Sequence, residues 1–505
     1  MKRTDNKSLL FGLMFFISII ASISFEGHSI LYACMAILVV YFLTPKIRTG
    51  VDKVSFEPIH DISRKQKRRV FIISALVALA VMLFWFLGAC PGFFSPDSTV
   101  QYEQAVTGRY DDWFPAWHTF LFFTLPLKLT GWPGSIVLFQ VLWFALLAGF
   151  YAQTVYTYAG SFYAKTALAF IICTPFTLEI MMFPWKDTAF GIAAGFCMLS
   201  AIHIYMSKGR WCNRFPNILL MAFMLVNATI FRHNGILFTL FLIIALLFFM
   251  SKCRWIELVS VSAVLFILIK IPLYFWLGVQ KPGDRMLEIS GLPMSVITSA
   301  AKECPQKLDA QTLQFVDDLL SVQPDWKENH SYDGFNSIKF RGMNNSVIDD
   351  AGVAGIIRMT WDCFKSAPLV SLKALRGATL PVYDLGYGCI IHPYIADNDF
   401  GLEYSGCKIV RSVQKCYLLA VYKTPLRIVL SNIAITILIM LAFILFRSDL
   451  RDVTDWKRIA LCLPVLFYDF GTMLFMAGHD IRFFYINWIT VPLIVLIMGC
   501  KKTCN

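Results

Sequence analysis

Long apolar runs alternate with short polar stretches along most of the 505-residue chain. A helix needs about 20 mostly apolar residues to cross the hydrocarbon core of a bilayer. About twelve runs come close to that length, near residues 9–25, 28–44, 70–90, 135–155, 164–183, 187–206, 216–232, 235–250, 256–278, 426–446, 459–477 and 482–499. The pattern therefore predicts an all-α polytopic membrane protein with about twelve transmembrane helices.

One apolar run is too short for a full crossing. The stretch at 118–129, HTFLFFTLPLKL, has about a dozen residues and contains Pro126 and Lys128. We interpret it as a re-entrant or interfacial half-helix, because a full crossing here would reverse the orientation of every later loop. The alternative is a thirteenth span offset by one weak crossing elsewhere.

The polar stretches divide the chain into four regions. Residues 1–69 are predicted to form a two-helix anchor, without a signal-peptide cleavage site, and a basic cytoplasmic loop. Residues 70–279 form the core, with a first outer catalytic loop at 91–118. Residues 280–424 are turn-rich, balanced in charge and partly amphipathic, which is typical of an aqueous, mostly helical domain outside the membrane. Residues 425–505 form the last spans.

Charge sets the orientation of these regions. The chain is 57% hydrophobic, has a mean hydropathy of +0.62 and carries a net charge of +12. Its Lys and Arg residues cluster in short loops between apolar runs, above all at 46–70, so the positive-inside rule explains them and nucleic-acid binding is not expected. The loops at 207–214, 251–254 and 447–458 and the C-terminus then also lie in the cytoplasm.

The cysteines show no metal-binding spacing, and we expect no zinc site. Five of them lie in the predicted outer domain, where an oxidising periplasm would allow a disulfide. The odd number leaves the pairing open. These five are Cys304, Cys363, Cys389, Cys407 and Cys416.

Unusual polar motifs collect at the predicted outer ends of the spans. They are SPDS at 95–98, DDWFPAWH at 111–118, PWKD at 184–187, RHNG at 232–235 and GHDIRFFY at 478–485. Ionisable groups packed against apolar sequence need partners. Five such motifs on one face therefore predict a shared site.

Each motif also has a structural interpretation. Lys186 and Asp187 are adjacent opposite charges that could form an interfacial ion pair, and Arg232 with His233 could end a helix. Trp113 and Trp117 fit an aromatic belt. Asp97 follows Pro96 and could cap a helix that begins at 98.

The residue types suggest a division of chemical roles. A carboxylate in a partly desolvated mouth can take a proton from an alcohol, and cations can bind a phosphate and stabilise it as a leaving group. The candidate catalytic residues are Asp97, Asp111, Asp112 and His118. The candidate phosphate-binding residues are Lys186, Arg232, His233, His479 and Arg482. The candidate contacts to donor or acceptor are Trp113, Trp117, Asp187, Asn234 and Asp480.

The motifs resemble the GT-C superfamily of polytopic membrane glycosyltransferases. The resemblance rests on the carboxylate in PGFFSPDSTVQYEQA, the following WFPAWH, and the later WKD, RHNG and HDIRFFY. It implies a GT-C-like bundle in which Asp97 acts as the general base or orients the acceptor, and in which Arg232 and Arg482 bind a lipid phosphate. The loop lacks a DxD or ExD pair, so neither a divalent metal nor another cofactor is expected.

The matching bacterial members take a sugar from undecaprenyl phosphate, and some decorate lipopolysaccharide O-antigen. The resemblance thus implies inverting transfer of a hexose, such as glucose, from a polyprenyl-phosphate donor to a hydroxyl of a cell-surface glycan. The enzyme would lie in the bacterial cytoplasmic membrane, with its site facing the periplasm or the cell exterior. An O-antigen or capsule polymerase and a polytopic transporter or flippase remain as alternatives.

Overall fold

The computed structural model describes residues 6–21, 29–58, 62–281, 287, 290–388, 390–449 and 452–500, which are mainly helical. Among these residues, extended stretches meet only in isolated bridges, such as Phe94 with Ile395. Six helices are long and apolar enough to cross a membrane, at Arg64–Leu87, Gly134–Cys173, Lys186–Met206, Lys252–Leu277, Val453–Phe475 and Ile481–Gly499. Shorter apolar helices lie at Asn6–Ile19, Phe215–Ile230, Gly235–Leu246 and Ile433–Arg447. A helical membrane protein is supported, and the number of twelve spans stays a prediction.

The chain folds into two compact units. The bundle unit contains Met1–Gln280, Leu385–Tyr468 and Arg482–Asn505, and the inserted unit contains Lys281–Asp384 and Asp469–Ile481. The predicted aqueous domain, 280–424, therefore differs from the inserted unit at its C-terminal boundary. Residues 385–424 pack with the bundle because backbone hydrogen bonds hold them there, including Ser405 N to Cys90 O at 2.9 Å and Cys407 N to Leu87 O at 2.8 Å.

The longest helical segment of the bundle unit consists of two helices joined at Gly160. Gly134–Cys173 reverses at Gly160, where φ is 83° and ψ is 178°, a conformation that favours glycine. The first arm runs antiparallel to Arg64–Leu87: Gly149 packs on the backbone of Phe71, and Gln66 Nε2 donates to Tyr156 Oη at 2.6 Å. The first arm covers the predicted span 135–155, whereas the second covers only the first part of the predicted span 164–183. The second arm stops at Thr174 because Pro175 begins a separate short helix, Pro175–Ile180.

The predicted half-helix at 118–129 lies in three short helical pieces. They are Ala116–His118, a π-helical turn at Thr119–Thr124, and Leu125–Thr130, which ends at Gly131 with φ of 68°. Together they are shorter than the roughly 20 residues needed for a crossing. Their re-entrant or interfacial placement stays a prediction.

A buried ion pair fixes the amphipathic helix Lys408–Tyr422 to the bundle unit. Arg411 donates from both terminal nitrogens to the carboxylate of Glu179, at 3.1 and 3.4 Å, and Trp85 Nε1 donates to the same carboxylate at 3.1 Å. Gln414 accepts from Arg411 and donates to the carbonyl oxygens of Phe84 and Trp85. Glu179 is fully buried, so the charge-assisted hydrogen bonds replace its lost hydration.

The inserted unit has its own apolar core. Its principal helices are Gly291–Glu303, Ala310–Leu319, Ser346–Ser366 and Pro368–Thr379. Met294, Ile297, Val316 and Trp326 are among the buried residues of that core. The segment Asp469–Ile481 joins the unit through Ala477, whose carbonyl accepts from Asn336 N at 3.0 Å.

The cysteines of the predicted outer domain are free thiols where the structure describes them. Cys304 and Cys363 lie in the inserted unit, whereas Cys407 and Cys416 lie in the bundle unit. Cys389 lies outside the described residues.

Candidate functional site

A continuous chain of charged side chains links four of the predicted motifs in the bundle unit. Asp97 Oδ2 lies 2.7 Å from Arg482 Nη2, and Arg482 Nε lies 3.6 Å from Asp187 Oδ2. Asp187 Oδ1 accepts from Arg232 Nη1, and Arg232 Nε donates to Asn234 Oδ1 at 2.5 Å. The structure therefore brings together side chains that lie up to 385 positions apart in the sequence.

Exposure rises from Asp187 through Arg482 to Asp97. The side chain of Asp187 is 1% exposed and that of Arg232 is 9% exposed, whereas Arg482 is 17% and Asp97 is 35% exposed. Arg482 lies over the ring of Trp185, with its guanidinium carbon 5.0 Å from the ring centroid. The Asp187–Arg232 end is thus part of the packed bundle, while the carboxylate of Asp97 is reachable by another molecule.

Ser95, and not Asp97, caps the helix that contains Asp97. Ser95 is the N-cap of the helix Pro96–Thr107, and its side chain accepts from Ser98 N at 3.4 Å. Trp185 Nε1 donates to the same Ser95 oxygen at 2.7 Å, which ties this turn to the PWKD motif. Asp97 occupies the first turn, where the helix dipole favours a carboxylate. Ser95 therefore caps the helix, and the carboxylate of Asp97 contacts Arg482.

The two carboxylates of the DDWFPAWH motif have separate partners. Asp112 accepts from Lys270 Nζ at 3.0 Å and from Tyr274 Oη at 2.9 Å. Asp111 Oδ1 accepts from the backbone nitrogen of Trp113 at 2.9 Å, which shapes the loop. Both carboxylates are half-buried. Asp112 thus belongs to a polar cluster, and Asp111 has a local structural contact.

Sequence reasoning missed Lys270 and Tyr274. Lys270 lies within the apolar run at 256–278, in a π-helical turn, Ile269–Leu273. An ionisable side chain inside such a run is costly and usually functional, and π-helical turns often occur at functional sites. The position of Lys270 inside an apolar run could therefore have identified, from the sequence, its polar cluster with Asp112 and Tyr274.

The two predicted tryptophan contacts differ in their surroundings. Trp117 Nε1 donates to Asn227 Oδ1 at 2.7 Å, and its backbone nitrogen donates to Tyr274 Oη at 3.3 Å. Trp113 is half-buried in the loop that Asp111 shapes. Trp117 therefore anchors the loop to two neighbouring helices.

His118 lies in an apolar enclosure beside the loop. Its side chain is fully buried, and its ring lies 5.1 Å from that of Phe122 and 5.5 Å from that of Phe231. Gln101 Nε2 lies within hydrogen-bond distance of Nδ1, at 2.9 Å. Burial, and next the charge of Lys186, lowers the pKa of His118 to about 3. The imidazole is therefore neutral, and it is packed against aromatic rings.

The remaining cationic candidates occupy different places. Lys186 Nζ lies 4.9 Å from the ring centroid of Phe114. Desolvation, and next the charge of Lys186, lowers the pKa of His233. His479 and Asp480 belong to the inserted unit, where His479 Nε2 bonds to the carbonyl oxygen of Gly377. Arg482, from the same sequence motif, belongs to the bundle unit.

No group of three or more His, Cys, Asp or Glu side chains among the described residues is placed to hold a metal ion.

No family model matches the chain, and the curated proteins and solved structures compared with it give no match either. The case for a function therefore rests on the residues and their geometry.

Proposed function

We propose that the protein is an inverting membrane hexosyltransferase that uses a polyprenyl-phosphate sugar as donor. The observation that carries the proposal is the partly exposed carboxylate of Asp97 at the open end of a buried ion-pair chain. A neighbouring guanidinium stabilises the ionised carboxylate. Arg482 Nη2, 2.7 Å away, holds the carboxylate of Asp97 in place.

The reaction balances without a covalent enzyme intermediate. An acceptor hydroxyl attacks the anomeric carbon of the donor sugar, and its proton passes to Asp97. The bond between the anomeric carbon and the phosphate oxygen breaks, and the polyprenyl phosphate leaves with the electron pair. Attack from the face opposite the leaving group inverts the anomeric centre. Basic side chains beside the leaving phosphate lower the barrier, because they stabilise charge that develops there.

The resemblance to the GT-C superfamily supplies the finer part of the proposal. It suggests glucose as the hexose, an O-antigen or similar cell-surface glycan as the acceptor, and the outer face of the bacterial cytoplasmic membrane as the location. The apolar helices support association with a lipid bilayer. The position of Asp97 near the end of a spanning helix suits a donor whose lipid chain stays in the membrane.

A transfer assay tests the proposal. A radiolabelled polyprenyl-phosphate hexose is added to membranes that contain the wild-type chain. The assay measures the polyprenyl monophosphate that is released and the labelled glycan that is formed. We expect Asp97→Asn to insert normally and to lose transfer. Glu103→Gln is the matched control, since Glu103 is an exposed carboxylate on the same helix.

The same assay separates the alternatives. A polymerase would use a diphosphate-linked oligosaccharide and release polyprenyl diphosphate. A transporter or flippase would move the lipid-linked sugar without breaking the glycosidic bond. Wild-type membranes that release no polyprenyl monophosphate from any hexose donor would contradict the proposed function.

A further inference from the structure

A cavity of about 390 Å³ lies in the inserted unit, between the helices Ala310–Leu319 and Ser346–Ser366. Sites for small molecules usually occupy about 300–1,000 Å³, so the cavity has the size of such a site. Residues of both helices line it, and Asp97 and Arg482 are not among them. The cavity is therefore distinct from the candidate site in the bundle unit.

The inner wall of the cavity is apolar. Phe315 comes from one helix and Met359 from the other, and both line the cavity. They are only 7% and 3% exposed, because they also belong to the apolar core of the inserted unit. A ligand of this cavity must therefore present an apolar surface to the wall.

Small residues give the cavity its room. Ala351, Ala354 and Gly355 line it from the helix Ser346–Ser366. A Cβ atom at Gly355 would meet the Cβ of Ala351 at 3.5 Å, which is an ordinary van der Waals contact. Packing therefore does not require glycine at this position, and glycine weakens a helix relative to alanine. An open cavity gives Gly355 a role that packing does not.

The rim of the cavity carries both donors and acceptors. Arg358 Nη2 donates to Gln311 Oε1 at 2.5 Å, which joins the two helices. An arginine has five N–H donors, and within the described part of the chain Arg358 uses this one. Asp350 also lines the cavity, and no described residue forms a hydrogen bond or an ion pair with its carboxylate. The rim thus offers one positive and one negative group to a ligand.

This balance of charge favours a neutral ligand that is rich in hydroxyl groups. A hydroxyl both donates and accepts, so it can bond to Arg358 and to Asp350 alike. An anion would be repelled by Asp350, and a cation by Arg358. A sugar ring combines such hydroxyls at its edge with apolar C–H groups on its faces. It therefore matches the polar rim and the apolar wall together.

We propose that the cavity binds a neutral stretch of the acceptor glycan. This inference rests on the proposed function and adds an acceptor-binding site to it. The sequence predicts that residues 280–424 lie outside the membrane, on the side of the acceptor in the proposed reaction. Arg358 and Gln311 donate to sugar hydroxyls, Asp350 accepts from them, and Phe315 packs against the C–H face of a ring.

Direct binding tests the site without requiring catalysis. The full-length chain, in phosphatidylcholine nanodiscs without sugar-based detergent, is titrated with neutral trisaccharides of glucose, galactose, mannose and rhamnose. Trigalacturonate and a chitosan trimer serve as the anionic and cationic comparisons. Calorimetry or saturation-transfer NMR measures each Kd. We expect at least one neutral trisaccharide to bind, and to bind more tightly than either charged one.

Two variants change the cavity in different ways. Gly355→Leu fills it and should raise the Kd of the neutral trisaccharide at least about tenfold, whereas Val353→Leu changes an exposed neighbour that does not line it. Asp350→Asn should raise the same Kd about tenfold and also weaken the rejection of trigalacturonate. Asp349→Asn is the matched control, since Asp349 is an exposed carboxylate on the same helix outside the cavity.

The variants have further readouts that a lost fold would not reproduce. Both cavity variants should melt at the wild-type temperature, because Gly355 has room and Asp350 is exposed. In the transfer assay they should raise KM for the acceptor and leave kcat unchanged, since the cavity does not contain Asp97.

The outcomes distinguish this inference from the proposed function. Neutral trisaccharide binding that survives both Gly355→Leu and Asp350→Asn would overturn the assignment to the cavity and leave the transferase proposal standing. Tighter binding of a charged trisaccharide, or no binding of any neutral one, would also overturn it. A wild type that binds a neutral trisaccharide in the cavity but releases no polyprenyl monophosphate would contradict the proposed function and support a glycan site.

Discussion

Replacing Asp97 by Asn should separate catalysis from stability at one turn of the bundle unit. The lost ion pair with Arg482 involves a carboxylate that is 35% exposed, so solvent screening limits its worth to about 0–1 kcal/mol. The lost interaction with the helix dipole adds about 0.3–1 kcal/mol. The free energy of unfolding should therefore fall by at most about 2 kcal/mol. Removing a general base, in contrast, should slow transfer by about 10²–10⁴-fold, or about 2.7–5.4 kcal/mol in the barrier.

Ser95→Ala should give the opposite pattern. It removes an N-cap, at about 0.5–2 kcal/mol, and leaves the buried indole N–H of Trp185 without its acceptor, at about 1–3 kcal/mol. We expect this variant to melt at a lower temperature and, below its melting temperature, to transfer sugar at a rate close to that of the wild type.

The assay measures two quantities on each variant. Polyprenyl phosphate released per correctly inserted chain reports catalysis, and thermal unfolding of the purified chain in detergent reports stability. The reasoning would be refuted if Asp97→Asn kept near wild-type transfer. It would also fail if Asp97→Asn lowered the melting temperature as much as Ser95→Ala, because the carboxylate would then have a structural role.

Three further predictions concern the fold. Gly160→Ala places a side chain at φ of 83° and should cost about 1–2 kcal/mol, measured as a lower melting temperature, whereas Gly50→Ala has open space and serves as control. Glu179→Gln leaves Arg411 buried without its counter-charge and should cost about 3–5 kcal/mol in the same measurement. Burial lowers the pKa of His330 to about 4, so the unfolded chain takes up the proton first and stability should fall as the pH drops from about 6.5 to 4. Fluorescence of the neighbouring Trp326 should follow that loss.

Each of these predictions has a contrary result. Equal melting temperatures of Gly160→Ala and Gly50→Ala would mean that the hairpin does not depend on glycine. A stable Glu179→Gln variant would show that the helix Lys408–Tyr422 is held by its apolar contacts. A His330→Gln variant with the same pH dependence as the wild type would assign the acid sensitivity to other groups.

The hydrophobic pattern predicted the helical membrane character of the chain, because apolar runs are local properties, and six of the described helices are long and apolar enough to cross a membrane. The reversal at Gly160 matches the gap between the predicted spans at 135–155 and 164–183. The boundary at 384 could not be predicted in this way. It depends on contacts such as Arg411 with Glu179, which lie 232 positions apart in the sequence, and composition gives no information about such pairs.

Local sequence patterns predicted part of the candidate site. Polar residues that interrupt apolar runs identified Asp97, Asp187, Arg232 and Arg482, and the structure joins them in one chain. The sequence could not show that His118 is enclosed, because rings from Phe122 and Phe231 surround it only in the folded chain.

The geometry divides the positive charges of the site into two kinds. Arg482 contacts the carboxylates of both Asp97 and Asp187, and Arg232 contacts that of Asp187, so these planar donors are suited to hold the two carboxylates in a fixed arrangement. Lys186 and Lys270 carry compact charges on flexible stems: Lys270 pairs with Asp112, and Lys186 lies over the ring of Phe114. A transferase needs one set of charges that holds its base in place, and another that stabilises a leaving phosphate as it gains charge. If the arginines did both, phosphate binding would withdraw Arg482 from Asp97 at the moment when the base must accept a proton. Separate sets would remove that conflict, so we expect a transferase of the proposed kind to bind its leaving phosphate through groups other than Arg482.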